Sequence, residues 1–311
     1  MKLVLLSLGL FVGIVAHGQD TLKKPSNWQL KAIYSLNATQ TAFVNWSAGG
    51  RNNISLLASI SANANYKKES WSWTNDLSLA LGGLKYISKG NNEGLQKTDD
   101  RIDFSSNIGY KIKDKVYFSA IGGLKTQMLD GFAYPNDSVR VSTFFAPGYI
   151  NLAIGIDWIP NTEFSLFTSP LAGKITIVKD QTLANAGAFG VTGATYDGLG
   201  TLLTKGANIR YEFGAYIKAK YTKTLAKNID LKAKLELFSN YLNNPQNIDV
   251  NAEALFSFKI NSWFAASLQW NLIYDDDIDI RDSEGNVGPR TQFLSVLGLG
   301  ITYKMENNKK E

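Results

Sequence analysis

The side chains that could do chemistry in this sequence are carboxylates and lysines, because the chain has no cysteine and a single histidine. That histidine, His17, lies in an apolar leader that we expect to be removed. A Ser-His-Asp triad, a Cys-His pair and a histidine-based zinc site are therefore excluded from the mature chain. Hydrolysis by carboxylates alone stays open, and its candidates are Glu212, Glu236 and Glu253.

Apolar residues recur at every second position in three stretches between residues 207 and 260, and most of the residues between them are charged or polar. In the first stretch, Ile209, Tyr211 and Phe213 alternate with Arg210 and Glu212. A period of two places successive side chains on opposite faces of a β-strand. The charged face supplies the candidate lumen-lining residues, which are Arg210, Glu212, Lys218, Lys220, Lys232, Lys234, Glu236, Asp249, Glu253 and Lys259.

The charges on this face nearly balance. Together with Asp230, the candidate residues carry six positive and five negative charges. Such a balance on neighbouring strands favours cross-strand pairing over a strongly ion-selective wall. Lys218, Lys220, Lys232 and Lys234 cluster near one predicted turn, where we expect a solvated positive rim. The alternative is a surface that attracts an anionic solute or partner.

Two loops are weak matches to ligand-binding motifs. The run Asp275–Asp279 could bind calcium through carboxylate oxygens, but Arg281 occupies a ligand position of the helix-loop-helix pattern, so we expect a solvated surface loop. The stretch Gly187–Gly193 lacks the glycine spacing and the strand-to-helix context of a phosphate-binding loop. Since the loop over residues 180–206 is long and partly apolar, we expect it to plug, cap or dock. We predict no metal ion and no cofactor.

The elements that position these residues are long strands. Strands of soluble domains usually have about five or six residues, whereas a tilted membrane strand needs roughly nine to eleven and must belong to a closed sheet. The sequence therefore predicts an all-β fold, a single antiparallel up-and-down transmembrane β-barrel of about 12 strands. A bulge or a kink is predicted at Pro170. The rival fold is a soluble sandwich or lipocalin-like barrel, in which the apolar face would point inward.

The connections between the strands alternate in length. Short ones fall near residues 68, 113, 160, 225 and 261, and longer ones lie between them. Outer-membrane barrels have short periplasmic turns and long extracellular loops, so both termini are expected in the periplasm. Aromatic residues such as Trp71, Trp158 and Trp263 flank the short turns. Because such rings prefer the headgroup layer, this placement predicts an aromatic girdle.

The first residues of the sequence have the features of an export signal. Lys2 precedes an apolar run from Leu3 to Ala16, and Gly18 provides a small residue at the expected cleavage site. We expect a cleaved signal peptide over residues 1–18, a periplasmic leader over 19–27, a barrel over 28–304 and a polar periplasmic tail over 305–311. The net charge of +5, or +4 without Lys2, is too mild to indicate a nucleic-acid partner. The predicted location is the bacterial outer membrane.

Several short motifs are distributed over most of the chain: Asn45–Gly50 with Asn53, Trp71–Asn75, Lys97–Asp100, Lys125–Gln127, Phe144–Tyr149 and Ser169–Leu171. Through these motifs the chain resembles an uncharacterised, domain-of-unknown-function family of outer-membrane β-barrel proteins from Bacteroidota. The resemblance implies the barrel fold and the outer-membrane compartment. It implies no activity and no site residue, since the family has no assigned catalytic residues.

The sequence thus predicts a porin-like envelope protein with no enzymatic role. It would act as a narrow or gated pore for small solutes, or as an envelope scaffold. One alternative is an accessory subunit that docks other envelope proteins through its extracellular loops, and a second is a carboxylate-dependent surface hydrolase. Outer-membrane lipid is the expected partner in each case.

Overall fold

The computed structural model describes residues 27–42, 51–87, 94–134, 136–281 and 286–307. The predicted signal peptide, most of the leader, residues 43–50 of the first loop and the tail from residue 308 lie outside these ranges. The strands, in chain order, are β1 Trp28–Thr41, β2 Asn53–Lys68, β3 Trp71–Tyr86, β4 Gln96–Lys113, β5 Val116–Thr126, β6 Gly131–Phe132, β7 Arg140–Ser142, β8 Gly148–Trp158, β9 Phe164–Ile177, β10 Thr195–Tyr196, β11 Leu202–Thr204, β12 Ile209–Ala226, β13 Ile229–Asn240, β14 Asp249–Lys259, β15 Phe264–Tyr274, β16 Asp279–Arg281, β17 Val287–Pro289 and β18 Gln292–Glu306.

The long strands form one closed barrel. Around the ring their order is β1, β18, β15, β14, β13, β12, β9, β8, β5, β4, β3 and β2. Each strand is antiparallel to its neighbours, and the barrel closes where β1 pairs with β18. The prediction of an up-and-down barrel of about 12 strands is confirmed. The remaining short strands form three hairpins within the loops, β6 with β7, β10 with β11, and β16 with β17.

Exposure is inverted relative to a soluble protein. Outward-facing Leu152, Leu171 and Leu297 are 56%, 57% and 66% exposed, whereas inward-facing Glu212 and Lys218 are only 4% and 5% exposed. A surface of large apolar side chains around a polar interior is the arrangement that lipid requires. The rival soluble fold, with its apolar face inward, is therefore wrong, and the barrel is a membrane barrel.

The short connections and the aromatic residues define one end of the barrel, the turn end. Turns at residues 69–70, 114–115 and 227–228 link neighbouring strands there, and β1 begins and β18 ends at the same level. Ring pairs at this end include Trp28 with Tyr66, Trp71 with Tyr110, and Trp158 with Phe164. The predicted girdle of aromatic rings is present. The opposite end, which we call the loop end, carries the long connections.

The predicted irregularity at Pro170 is a bulge in β9. On one side Ile154 pairs with Leu171 and Ile156 with Thr168, so Ser169 and Pro170 together oppose Gly155. Proline has no N–H for the ladder, which explains why the extra residue falls here. An added Cβ on Gly155 would lie 2.1 Å from the carbonyl oxygen of Thr168, so the facing strand needs glycine at the bulge.

Part of the barrel interior is apolar. Phe167, Tyr216 and Phe238 point inward and form a buried cluster with Ile121, Ala153 and Ala172. Phe167 and Tyr216 are in ring contact, with centroids 6.2 Å apart. This interior cluster was not anticipated from the sequence, and it narrows the barrel beside β8, β9, β12 and β13.

The longest loop, residues 178–208, is ordered over the loop end. It contains the short helix α1, Gln181–Asn185, whose first turn is capped by the side chain of Asp180. Val178, Leu183, Ala184 and Val191 form a second buried cluster with Ala146 of the neighbouring loop. The loop, which we call the capping loop, therefore packs against the loop before β8, and the expectation that it plugs, caps or docks stays a prediction. No helix in the described part of the chain is long and apolar enough to cross a bilayer.

Candidate functional site

Ion pairs and hydrogen bonds cross the barrel interior, and several of them join strands that are not neighbours, such as Lys125 with Glu236 and Lys220 with Asp76. We call this set the cross-barrel layer, and its members are Asp76, Asp103, Ser105, Lys125, Tyr216, Lys218, Lys220, Lys234, Glu236 and Glu253. Because strands β12 and β13 lie nearly opposite β3 and β4 in the ring, a direct contact between them must span the lumen. The interior is therefore bridged by side chains at this level.

Glu236 on β13 is the centre of the layer. Its carboxylate lies 2.5 Å from the Nζ atom of Lys125 on β5 and accepts a hydrogen bond of 2.7 Å from the hydroxyl of Tyr216. The Nζ atom of Lys218 is 3.7 Å away and also donates to the hydroxyl of Ser105 at 2.8 Å. The carboxylate is buried, and these partners together supply the neutralising charge that burial requires.

Two further lysines tie β12 and β13 to the far wall. The Nζ atom of Lys234 lies 3.0 Å from both Asp103 on β4 and Glu253 on β14. Nearer the turn end, the Nζ atom of Lys220 lies 2.5 Å from Asp76 on β3. The latter pair is more solvated, since both side chains keep over a third of their exposure, and ion pairs of that kind contribute little to stability.

A second group of charges, the rim cluster, lies nearer the loop end. The Nζ atom of Lys174 is 2.6 Å from Asp249, 3.0 Å from Asp275 and 3.6 Å from Glu212. Arg210 contacts Glu212 at 2.9 Å and Asp277 at 3.2 Å. The rim cluster therefore links strands β9, β12 and β14 to the acidic loop that follows β15.

The rim cluster also fastens the capping loop. The Nη1 atom of Arg210 donates to the carbonyl oxygen of Gly190 at 3.3 Å. Gly190 has a φ of +78°, and an added Cβ would lie 2.4 Å from the guanidinium of Arg210, so glycine is required at this contact. Phe189, next to it, turns toward the lumen and lines the cavity described below.

A cavity of about 680 Å³ lies between the two groups of charges. Its floor includes Asp103, Lys125 and Glu236 of the cross-barrel layer, and its walls include Lys174 and Phe189. The cavity is large enough for a small organic solute. Because cross-barrel ion pairs form its floor, the structure shows a vestibule at the loop end and a polar constriction below it.

The predicted lumen residues divide between the two groups. Lys218, Lys220, Lys234, Glu236 and Glu253 belong to the cross-barrel layer, and Arg210, Glu212 and Asp249 belong to the rim cluster. In contrast, Asp230, Lys232 and Lys259 lie exposed near the turn end. The prediction of a solvated positive rim therefore fits Lys232. It is wrong for Lys218, because that side chain is buried against Glu236 and Ser105.

The acidic loop also differs from its prediction. Asp275 is 6% exposed and bound to Lys174, so at this residue the loop is not solvated but folds into the barrel mouth. Hydrogen bonds from Tyr274 and Asn247 hold Asp276 beside it. Within the described ranges, no group of three or more carboxylate or imidazole side chains is arranged to hold a metal ion.

Partners on the other strands were missed. Asp76, Asp103, Lys125 and Lys174 supply opposite charges to the predicted residues, and none of the four is among the predicted lumen residues. For Asp103 the signal was present, since Ile102 and Phe104 on either side are apolar. Applying the same alternation to β3, β4 and β5 would have found three of these four residues.

Two family models match parts of the sequence. One is described as a protein of unknown function (DUF3078) and matches residues 38–132, and the other as a protein of unknown function (DUF481) and matches residues 184–284. The predicted similarity to families of unknown function is thus confirmed, while the Bacteroidota origin stays a prediction. A search of the curated proteins gives no match to the sequence.

Several solved structures align with most of this chain, but their sequence identities and TM-scores are low. An outer membrane channel from Pseudomonas putida F1 is 11% identical with a TM-score of 0.38, covering 93% of this chain and 100% of that one. The translocator domain of the autotransporter NalP from Neisseria meningitidis is 11% identical with a TM-score of 0.34, covering 96% and 94%. The NanC porin is 8% identical with a TM-score of 0.33, covering 87% and 98%. The barrel assignment rests instead on the strand pairing of this chain.

Proposed function

We propose that this protein is a non-enzymatic outer-membrane barrel that forms a gated passage for small solutes. The observation that carries the proposal is the cross-barrel layer, whose ion pairs span the lumen below the vestibule, beside the buried apolar cluster that contains Phe167 and Phe238. Ion pairs can separate when water or a polar solute supplies replacement partners.

The arrangement gives a sequence of steps for passage. A solute enters from the loop end, beneath the capping loop, and occupies the vestibule beside Lys174 and Phe189. Separation of the cross-lumen ion pairs then opens a path toward the turn end; these pairs are Lys125 with Glu236, Lys234 with Asp103, and Lys220 with Asp76. Each separation exposes charges that water can hydrate, so the closed and open states can be close in free energy.

The orientation and export route belong to the same proposal. The long loops face the exterior and the short turns face the periplasm, as is usual for outer-membrane barrels. The chain would reach this membrane through a signal peptide over residues 1–18, cleaved before Gln19.

Hydrolysis by carboxylates receives less support from the geometry. Glu236 and Glu253 both contact Lys234, and Glu212 contacts Arg210. A general acid or base needs a proton that it can exchange with a substrate, and these carboxylates are held by cations in the resting structure. We therefore propose a passage rather than an active site.

A scaffold that docks partners through its loops is the second candidate, and one observation favours it. The hairpin of β10 and β11 exposes large apolar side chains at the loop end: Leu199 is 95% exposed and Leu203 is 66% exposed. Exposed apolar side chains that cluster often mark an interaction surface. Recovery of a stoichiometric envelope partner, together with the absence of any conductance, would favour the scaffold over the passage.

Planar-bilayer recording of a charge-swap series tests the passage. The pair of Lys220 and Asp76 suits a swap because it has few other partners. We expect the wild type to open rarely, and Asp76→Lys or Lys220→Asp alone to raise the open probability, because each places like charges across the constriction. The double variant Asp76→Lys with Lys220→Asp should restore the rare openings. Lys111→Gln, whose exposed side chain lies near the turn-end terminus of β4, serves as the control and should behave as the wild type.

The passage would be refuted by a silent barrel in every member of the series. A double variant that opens as often as the single variants would show that this ion pair does not hold the constriction closed. Heat-modifiable migration on gels confirms in each case that the variant barrel has folded.

A further inference from the structure

The charged side chains of the lumen are distributed unequally along the barrel axis. Among the described residues, seven carboxylates line the vestibule at the loop end but only three cations, which are Arg101, Lys125 and Lys174. Residues that contact these ten charges without lining the cavity add two carboxylates and four cations: Glu212, Asp277, Lys97, Arg210, Lys218 and Lys234. The vestibule therefore keeps an excess of negative charge.

The turn end of the lumen has the opposite charge. Alternation along each strand turns inward the neighbours of outward-facing residues such as Leu30 on β1. Lys31 and Lys304 occupy such inward positions on the adjacent strands β1 and β18, where they are diagonal neighbours. Further lysines occupy inward positions near the turn-end termini of β2, β13 and β14. We call all five the turn-end lysines: Lys31, Lys67, Lys232, Lys259 and Lys304.

Few carboxylates at the turn end oppose these lysines. Glu306 lies 2.9 Å from the Nζ atom of Lys304, and Asp230 is exposed on the strand of Lys232. Asp157 also faces inward, but it is buried. Three ion pairs at this end add no net charge: Lys111 with Asp114, Lys220 with Asp76, and Lys223 with Glu163. In the part of the chain that the structure describes, five lysines thus face three carboxylates, and the mouth at the turn end is positive.

Charges of opposite sign at the two ends create an electric field along the axis of the lumen. Walls of low dielectric constant focus such a field into a narrow passage. A small cation is attracted by the vestibule and repelled by the turn-end lysines, whereas a small anion is repelled by the vestibule and attracted by the lysines. A zwitterion can orient its ammonium toward the loop end and its anionic group toward the turn end, so that the field stabilises both charges.

The vestibule already holds an ammonium group, that of Lys174. Its Nζ atom lies 2.6 Å from Asp249, 3.0 Å from Asp275 and 5.5 Å from the centroid of the Phe238 ring. Carboxylates beside an aromatic face are favourable surroundings for an ammonium ion. Asp99 lines the same cavity and forms no ion pair with a described residue, so its carboxylate can accept the ammonium of a solute.

We propose that the passage selects small zwitterions, which are solutes with one ammonium group and one carboxylate or phosphate group. The ammonium binds among the carboxylates and rings of the vestibule. The anionic group is drawn toward the turn-end lysines once the cross-lumen ion pairs separate. The proposal rests on the proposed passage, because it names the solute class of the same lumen.

Osmotic swelling of proteoliposomes tests this selection, because the swelling rate in an isosmotic solution follows the entry of the dissolved solute. The two probes are β-alanine, which is a zwitterion, and its uncharged isostere hydroxypropionamide. After subtraction of the rate for protein-free vesicles, we expect β-alanine to enter about fivefold faster than the amide through the wild-type protein, since the field favours only the zwitterion.

Variants at the two ends show whether the lumen charges cause the preference. In Lys31→Gln with Lys232→Gln and Lys304→Gln, the mouth loses most of its charge while every ion pair of the cross-barrel layer remains. We expect the ratio of the two rates to fall to about one. Asp99→Asn in the vestibule should also lower the ratio. The matched control removes the same charge from positions at the turns, outside the lumen: Lys68→Gln with Lys115→Gln and Lys227→Gln, which should keep the wild-type ratio.

The outcomes separate the solute class from the passage itself. Equal entry of β-alanine and the amide through the wild-type protein would overturn the selection of zwitterions while the passage stands. A wild-type ratio in the triple variant of the turn-end lysines, with its folding confirmed by heat-modifiable migration on gels, would overturn it as well. Swelling no faster than that of protein-free vesicles with both solutes would instead refute the passage.

Discussion

Two sectors of the barrel differ in what fills the interior beside them. The charged sector comprises β3, β4, β5, β9, β12, β13 and β14, whose inward side chains form the cross-barrel layer and most of the rim cluster. The seam sector comprises β15, β18 and β1, on either side of the seam, which is the junction where β1 pairs with β18. Its charged inward positions, Lys31, Lys304 and Glu306, lie near the turn end, and the other inward positions, such as Ser35, Ser267 and Val296, carry no charge. The buried apolar cluster lies in the same part of the interior, since its described residues belong to β5, β8, β9, β12 and β13.

One closed β-sheet can therefore contain a rigid sector and a more mobile sector. The backbone pairing is antiparallel around the whole ring, so the difference arises from side chains and from the length of pairing at the seam. Buried ion pairs that span the lumen fix the charged sector, because removing one partner leaves an uncompensated charge. Among the described residues, the seam sector has no such ties, and the pairing of β1 with β18 extends only from Lys31 with Glu306 to Asn37 with Gly300. Local opening is expected where such contacts are few.

The largest effect is expected from a substitution in the rim cluster. Lys174→Met leaves the carboxylates of Asp249 and Asp275 in a buried site without their shared cation. We expect the free energy of unfolding in lipid vesicles to fall by about 3 kcal/mol, since breaking a buried ion pair from one side is strongly destabilising. Denaturant titration of the barrel in vesicles measures it.

The matched control lies in the seam sector. Thr302→Val keeps the side-chain shape and removes a weak hydroxyl contact with Ser35 at 3.5 Å. We expect a loss of about 0.5 kcal/mol or less. Equal losses for Lys174→Met and Thr302→Val would contradict the division into two sectors.

A smaller effect is expected on the lipid-facing side of the charged sector. Leu235 on β13 points outward near the middle of its strand and is 37% exposed. Leu235→Arg should cost about 2 kcal/mol of folding free energy, because an arginine there faces hydrocarbon. Leu225→Arg, near the turn between β12 and β13, should cost between about 0 and 1 kcal/mol, since it lies near the interface.

The same denaturant titrations in vesicles distinguish these two variants. If Leu235→Arg were as mild as Leu225→Arg, the outward face of β13 would not be in the membrane core. The inward assignment of residues in the charged sector would then be wrong, because it follows from the same alternation that places Leu235 outward.

Much of the fold could be predicted because alternation is a local property of the sequence. The strands between residues 207 and 260 keep their period of two without interruption, so the inward placement of Lys218 and Glu236 followed directly. The level of the turns followed from their lengths and their aromatic neighbours.

The interior contacts of β9 could not be predicted in the same way. The bulge at Pro170 shifts the register by one residue, and a one-residue shift exchanges the two faces of a strand. As a result, Phe167 before the bulge and Lys174 after it both point inward, although one number is odd and the other even. The bulge itself was predicted from Pro170, but its effect on the faces depends on how the neighbouring strands take up the extra residue.

Contacts across the lumen also cannot be predicted from local sequence patterns. Which lysine meets which carboxylate depends on the stagger of strands far apart in sequence, as for Lys234 with Asp103. The pairing of β1 with β18 is likewise a contact between strands that are more than 250 residues apart in the sequence. The sequence predicts that these strands close the barrel, whereas the length of their pairing is set by the stagger accumulated around the ring.

The measurement that tests the account most directly is the solvent contact of alternate residues on β13. Single cysteines at Asp230, Leu231, Lys232 and Ala233 can carry nitroxide labels, because the chain has no cysteine of its own. In reconstituted vesicles we predict that labels at Leu231 and Ala233 relax with lipid-soluble oxygen, and that labels at Asp230 and Lys232 relax with a water-soluble nickel chelate. The opposite assignment, or no alternation, would contradict a barrel with lipid outside and ion pairs inside.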